Sequence, residues 1–447
     1  MPIEILRENV RTAHQELARS INGHADHPLH QQRTAALDAF LEQGVPTTRH
    51  EEWKYTNVLP FIGIEYAMTL CTTCFITDAE CARTIGPIAD ALESGWRIVL
   101  INGRIDRAHS SIPEHVPGLR ILPLTDATIA ADARIAGVVG SNAPAQSHPF
   151  VAMNLALADQ GVVIHVDANV RLERPIHIAC IADTRTSHRL STPRIVVVAE
   201  QGSSFDVVES HHTIGDMTAL DVTVAEVSVA ANAHVRYHKV IDDGESMRHI
   251  GSTSADVARD GSFTAHTASL GGAFVRNDAA VRLCEPSSQG FLFGTSVLQG
   301  HEYADNHTTV DHCVPHCHSE ELYKGIYDGS SVGVFNGKIY VRPQAQKTTA
   351  YQSSHAILLS ERAQMNSKPQ LEIWADDVKC SHGATTGQLD EDAVFYLQSR
   401  GIDAAKARAL MTYAFVAEVI ERIELPSLRQ HLEERIAEKL GAEPFAE

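Results

Sequence analysis

The sequence predicts a mainly β fold in which short strands stack into a parallel β-helix or another β-solenoid, with helical regions at both ends. The main observation is a repeat. Segments beginning at Val166, Val198, Val229 and Val257 each join an apolar strand end to Asn, Gln or Asp, at spacings of 32, 31 and 28 residues. A related segment begins at Val341, 84 residues after Val257. Because such a unit cannot bury its own apolar face, its copies are expected to stack around a shared core.

The segments between the repeats are short apolar runs, rich in β-branched residues, which favours strands. The expected strands are residues 162–166, 195–199, 220–224, 227–231, 235–237, 332–335 and 339–341. Asn and Gly in the turns tolerate the left-handed backbone that a sharp corner requires. No long helical pattern separates the runs, which argues against βαβ units, whereas a β-sandwich stays open as an alternative because the repeat is degenerate.

Composition and charge restrict the class of protein. A chain of 447 residues is long enough for two or three domains, and its net charge of −19 disfavours a nucleic-acid partner. No run of 18 apolar residues occurs, and the N-terminal sequence lacks a signal-peptide core, so we expect a soluble, cytoplasmic protein. Its eight cysteines are predicted to be thiols or ligands rather than a disulfide framework.

The first 95 or so residues are predicted to be mostly helical, with helices near residues 5–21 and 31–41. The segment 46–56, PTTRHEEWKYT, follows them. Thr48 and Glu51 have the spacing of a capping box, while Trp53 and Tyr55 indicate an aromatic anchor that fixes the helical region to the next layer.

Cys71, Cys74 and Cys81 form a C-x2-C-x6-C pattern, a spacing used by metal and redox sites. No fourth ligand follows at a finger-like distance. The favoured interpretation is therefore a set of reduced thiols, with a bound metal as the alternative.

A denser cluster lies in residues 307–325. It consists of His312, Cys313, His316, Cys317 and His318. Such density suggests a metal site, for which His312, His316 and Cys317 are candidates, although Pro315 prevents all five side chains from converging. An equally weighted alternative is a polar corner of the solenoid in which these side chains hydrogen-bond the turn.

Cys380 and His382 follow the apolar run 371–374 at alternate positions. If residues 378–382 are extended, the thiolate and the imidazole project from one face and form a soft ligand pair for iron or zinc. The alternative is a Cys and a His that only pack a strand end.

The last 60 or so residues are again predicted to be helical. Asp390 caps a helix to about Arg400, Asp403 caps a second helix that runs to Ile423, and Pro426 opens a third. Such helices could cover the open end of a solenoid.

An apolar stripe on the second of these helices comprises Met411, Phe415 and Val419. It indicates either a partner surface or core packing.

Several long blocks resemble the SufB/SufD family of iron–sulfur cluster assembly proteins. They are TTRHEEWKYT, FVRNDAAVRL (274–283), residues 305–360 and residues 368–402. The sequence KCSHGATTG (379–387) stands where SufB-type chains carry a Glu-His-Glu-type sequence, so the chain is closer to the SufD-type members.

This resemblance implies a right-handed parallel β-helix between helical domains, which we place at residues 1–157, 158–388 and 389–447. It implies a scaffold subunit rather than an enzyme, which works with SufB and with the ATPase SufC, and SufC docks on the C-terminal helices. The nascent cluster, or iron, is shared with SufB at the subunit interface, where His382 serves as a ligand and Cys380 is the nearby thiol. The chain contains no P-loop sequence, so we expect it to bind no nucleotide itself.

Two other functions remain open from the sequence. One is a β-helical docking module without a metal. The other is a carbohydrate-active β-helix enzyme, which the adjacent pair Asp376–Asp377 disfavours because neighbouring strand residues face opposite ways.

Overall fold

The computed structural model describes residues 2–20, 28–68, 75–92, 95–112, 115–126 and 128–441. The helices are α1 (Pro2–Ser20), α2 (Pro28–Gln43), α3 (Leu59–Ile62), α4 (Asp78–Ala91), α5 (Thr128–Ala131), α6 (Ala133–Ala136), α7 (Pro149–Ala156), α8 (Glu391–Ser399), α9 (Ala404–Ile420) and α10 (Pro426–Lys439). The strands are β1 (Ala67–Met68), β2 (Trp96–Ile101), β3 (Arg104–Ile105), β4 (Leu119–Pro123), β5 (Gly161–Val166), β6 (Ile176–Asp183), β7 (Arg189–Ser191), β8 (Arg194–Ala199), β9 (Ser204–Ile214), β10 (Ala219–Val229), β11 (His234–Ile241), β12 (Met247–Val257), β13 (Ser262–Ser269), β14 (Phe274–Leu283), β15 (Gln289–Leu298), β16 (Tyr303–His312), β17 (His318–Tyr327), β18 (Val332–Val341), β19 (Thr349–Leu358), β20 (Gln364–Ile373) and β21 (Lys379–Gly387).

Within the described ranges the strands form two sheets, one of 11 and one of 10 strands. The first has the order β20-β18-β16-β14-β12-β10-β8-β5-β4, and the second β21-β19-β17-β15-β13-β11-β9-β6-β2-β3. From β8 onward, successive long strands alternate between the sheets and pair in parallel with the strand one turn away. The predicted mainly β solenoid with helical ends is confirmed, and the β-sandwich alternative is wrong. Strands β2 and β4, which precede residue 158 in the sequence, also belong to these two sheets. The division of the chain into three domains stays a prediction.

The sequence repeat corresponds to one corner of the solenoid. Non-glycine residues there adopt the left-handed conformation in every turn from residue 169 to residue 347 except one, which uses Gly202, and their φ lies between 55° and 65°. These residues are Asn169, Asn232, Asp260, Ser287, His316 and Lys347. Ser287 and His316 mark the two turns that the sequence repeat did not reveal, so the dense His/Cys cluster lies at this corner.

Two pairs of predicted runs are single strands. Residues 220–224 and 227–231 fall largely in β10, and residues 332–335 and 339–341 fall in β18. Polar residues interrupt the apolar pattern in both strands. In β10 the interruption is Glu226, which is fully buried and pairs with Arg194 at 2.7 Å.

The segment 46–56 anchors the N-terminal helices to the solenoid, as its aromatic residues predicted. Trp53 is 2% exposed, and the guanidinium of Arg276 lies 4.2 Å from its ring centroid. Arg276 also donates to the Glu52 carbonyl at 3.0 Å and to Asp305 at 2.6 Å. The capping-box prediction is wrong, because residues 51–53 form a short 3-10 turn whose N-cap is His50 and not Thr48.

The C-terminal helices lie on the flank of the solenoid and not over its end. Asp390 and Asp403 cap α8 and α9 as predicted. Helix α9 packs through Val419 on Phe293 of β15 and Leu322 of β17. Val419 is therefore part of the core rather than a partner surface. None of the described helices is long and apolar enough to cross a bilayer.

One carboxyl group lies inside the solenoid near its C-terminal end. Glu321 on β17 is fully buried and accepts hydrogen bonds from Thr308 of β16 and from Gln352 of β19, the latter at 3.2 Å. Among the described residues no cation pairs with this carboxyl. Burial raises its pKa to about 7, although both hydrogen bonds act in the opposite direction.

Replacement of Arg276 tests the anchor. Arg276→Ala removes the buried guanidinium that Asp278 and Asp305 share, and we expect a loss of about 3–5 kcal/mol in the free energy of unfolding. Urea unfolding gives the magnitude, and limited trypsin digestion reports exposure of the segment 46–56. The exposed Arg362→Ala is the matched control, with a change within about 0.5 kcal/mol. An Arg276→Ala variant with wild-type unfolding and digestion would contradict the anchor.

The raised pKa of Glu321 predicts a pH-dependent stability. The folded chain keeps this proton up to about pH 7, whereas the unfolded chain loses it near pH 4.5, so stability falls as pH rises through that window. Glu321→Gln removes the fall, and above pH 7 the variant is expected to be more stable than wild type, by at most about 3 kcal/mol. Urea unfolding from pH 4.5 to 8 measures the difference, with the exposed Glu361→Gln as control. Parallel pH profiles for Glu321→Gln and wild type would contradict the assignment.

Candidate functional site

The predicted pair Cys380 and His382 lies on β21, the last strand of its sheet. Cys380 is in register with Ala350 of β19, and His382 is in register with Gln352. In the described chain neither β20 nor β21 pairs with a further strand, and no side chain of either strand is fully buried. The pair therefore lies on the terminal turn, where the solenoid is open.

The thiol and the imidazole belong to the set of side chains that faces the solenoid interior. Their register partners Ala350 and Gln352 are 0% and 1% exposed, and Cys380 packs against the apolar interior cluster. His382 is exposed because no further turn of the described chain covers it. Strand alternation thus places both side chains on one face, at the mouth of the interior.

The chemistry of this pair depends on proton loss. Burial raises the pKa of the Cys380 thiol above its usual value, and a backbone hydrogen bond from Ala350 offsets part of that effect. A metal ligand must be a thiolate, so an ion that binds here displaces the proton.

Polar groups lie directly below His382. Gln352 is one turn inside His382, and Glu321 is one turn further in. The side-chain oxygen of Gln352 has no hydrogen-bond partner, although the residue is buried. Gln352 lies over Gly337 of β18, whose missing side chain leaves the space for the amide. Sequence reasoning missed both residues, but their spacings of 30 and 31 residues match the turn length and could have identified the column.

The weaker candidates at the corner do not converge. His312 is buried and hydrogen-bonds Ser319 at 2.9 Å, and burial lowers its pKa to about 4. Cys317 is buried beside Ser288 at 3.3 Å, whereas His316 is exposed at the turn itself. No group of three or more His, Cys, Asp or Glu side chains that could hold a metal occurs among the residues placed by the structure.

Two of the three N-terminal cysteines, Cys71 and Cys74, lie outside the described residues. Cys81 on α4 is 4% exposed, and burial raises its pKa. The structure thus gives Cys81 the surroundings of a core thiol.

Comparison with known proteins identifies the family. Residues 181–415 match the model described as SUF system FeS cluster assembly, SufBD core domain, and residues 7–178 match the SufBD protein N-terminal region. The iron-sulfur cluster assembly protein SufD of Escherichia coli is 29% identical over 90% of this chain and 91% of its own length. A SufBD family protein of Synechocystis sp. is 28% identical over 93% of this chain and 92% of its own length. SufD of Bacillus subtilis is 25% identical over 66% of this chain and 67% of its own length. The chain therefore belongs to the SufB/SufD family of iron–sulfur cluster assembly proteins and is SufD-like.

Proposed function

We propose that this chain is the SufD-type subunit of a complex with SufB and SufC, and that its open solenoid end binds SufB so that Cys380 and His382 face the nascent cluster or its iron. One observation carries this proposal. The terminal turn, β20 and β21, has unpaired edges and displays this thiol and imidazole together at the mouth of the interior.

Unpaired strand edges favour a protein partner at this end. Free edges present backbone N–H and C=O groups that pair readily with another chain, and proteins usually cover them. Large apolar side chains surround the same end, since Tyr351, Ile373 and Trp374 are 42%, 39% and 49% exposed. An apolar rim around a polar centre is typical of an interaction surface.

The chain would act as a scaffold rather than as an enzyme. Cys380 as thiolate and His382 as neutral imidazole would offer soft ligands, while SufB supplies the remaining groups. Because both side chains must be deprotonated, we expect cluster assembly to weaken at acid pH. The required free thiols also favour the cytoplasm, where cysteines are kept reduced.

The C-terminal helices provide a docking surface for SufC. Phe395 and Tyr396 on α8 are 70% and 57% exposed. Helix α8 is joined to α9 by the Glu391–Arg408 ion pair, and α9 packs on β15 and β17. ATP-driven movement of SufC would therefore reach the solenoid through α9.

Replacement of the two candidate ligands tests the role of the terminal turn. In the complex reconstituted with SufB and SufC, we expect His382→Ala and Cys380→Ser each to lower cluster yield at least tenfold, roughly the effect of disturbing a metal ligand. Absorbance together with iron and sulfide analysis measures the yield. The exposed His301→Ala is the matched control and should leave the yield unchanged.

Wild-type yield from the double variant would overturn the ligand role. It would instead support a solenoid that only separates two docking surfaces.

The SufC surface is tested separately. We expect Phe395→Ser to weaken SufC binding by about 2 kcal/mol, roughly 30-fold in Kd, as for a central aromatic side chain of an interface. Calorimetry or surface-plasmon binding measures the change. Phe75→Ser, at a position that is 80% exposed on the N-terminal region, is the control. Equal affinities of both variants and wild type would place SufC elsewhere.

A further inference from the structure

The structure brings together two cysteines that are 29 residues apart in the sequence, Cys284 and Cys313. Each follows the last residue of its strand, β14 or β16, and those last residues, Leu283 and His312, are in register. The Cys313 N–H donates to the Leu283 carbonyl at 3.2 Å, which continues the ladder by one residue. The two cysteines therefore occupy the same position in adjacent turns.

Their side chains are parallel. The sulfur of Cys284 lies 3.5 Å from the carbonyl oxygen of Arg282, and that of Cys313 lies 3.6 Å from the carbonyl oxygen of Asp311. Each thiol thus makes the same contact with the residue two positions before it. Parallel side chains in register are separated by the strand spacing, which is about 4.8 Å.

We propose that Cys284 and Cys313 form a two-thiolate binding site for a soft, low-coordinate metal ion of the Cu(I) class. This site is independent of the function proposed for Cys380 and His382. A metal–thiolate bond is about 2.3 Å long, so two thiolates on opposite sides of one ion lie roughly 4.6 Å apart, close to the turn spacing. A disulfide would need Cβ atoms about 3.8 Å apart, and hence a local compression of the turns.

The ligand set selects the ion. Two soft sulfur donors favour Cu(I), which accepts two thiolates, over ions that need several oxygen or nitrogen ligands. No described group of three His, Cys, Asp or Glu side chains could complete a larger site. Binding forms two metal–sulfur bonds and releases two thiol protons to solvent, with no change in oxidation state.

The surroundings can accommodate the bound charge. Both thiols are half-buried at the surface, so an ion can reach them. Arg282 pairs with Asp256, and Arg342 pairs with Asp311 at 2.8 Å, which places both guanidinium groups beside the thiols. These cations favour thiolates, but burial has the larger effect and the carboxylates of Asp256 and Asp311 act in the same direction as burial. The pKa of Cys284 is therefore raised to about 11 and that of Cys313 to about 12. An ion must therefore bind sulfur strongly enough to displace both protons.

The test is transfer of Cu(I) from a coloured chelator to the purified full-length chain under anaerobic conditions. We expect Cys284→Ser, Cys313→Ser and the double variant each to bind one equivalent less than wild type, because one missing thiol abolishes the site. Cys317→Ser, at a buried thiol of the same corner, is the control and should bind as wild type does. Uptake equal to wild type in both single variants, or a larger loss in the double variant than in either single one, would overturn the shared site.

A second measurement needs no substitution. In the wild-type chain, one equivalent of Cu(I) should slow alkylation of Cys284 and Cys313 together, as measured by peptide mass spectrometry. Alkylation of either thiol at the same rate with and without Cu(I) would overturn the proposal.

Discussion

Parallel stacking of strands in register is the constraint on which the rest of this structure depends. Each turn lies about 4.8 Å from the next. A side chain therefore stacks on the side chain in the same position of the next turn, about 30 residues away in the sequence. Interior side chains consequently form columns, of which the column through Glu321, Gln352 and His382 is one. The column that joins Cys284 to Cys313 at the corner arises in the same way.

A stack of this kind must end, and its last turn has no neighbour to cover it. The C-terminal helices do not solve this problem, because α9 and α10 bury their apolar faces against the flank of the sheet that holds β15 and β17. The end at β20 and β21 therefore keeps free strand edges, exposed interior side chains and an apolar rim that includes Trp374. The partner subunit that we propose at this end would satisfy all three features at once.

The architecture could be predicted from the sequence because its strongest signals are local. Asn and Asp residues that adopt the left-handed conformation at the corners, such as Asn232 and Asp260, recur at regular intervals in the sequence. The sequence prediction divided strands that contain buried polar residues into two. In β10 a charged residue, Glu226, indicated a turn, and only the structure shows that it is buried in an ion pair with Arg194. In the sequence, Arg276 was noted only as part of FVRNDAAVRL, one of the blocks that resemble the family. Its contact with Trp53 could not be predicted, because the two residues are far apart in the sequence.

Candidate sites were harder to predict for the same geometric reason. His312, His316 and Cys317 are close together in the sequence, but the corner directs them differently, and they form no metal-binding group among the described residues. Residues one turn apart, by contrast, share a position although the sequence separates them. The pair at positions 380 and 382 was accessible to sequence reasoning because both residues lie on one strand, where alternation alone places them on the same face.

Two buried carboxyl groups in the solenoid interior, Glu209 and Glu321, differ in how their charge is compensated. Glu209 is also fully buried, but it contacts His211 at 2.7 Å, Tyr237 at 2.6 Å and Lys239 at 3.7 Å, so its charge is compensated. Glu321 has two neutral donors and no described cation, and it lies two turns inside the open end. A buried carboxyl without a compensating cation costs stability that an apolar side chain of similar size would not cost. It lies two turns beneath His382 in the same column, so the polar groups of this column extend from the interior to the exposed imidazole at the open end.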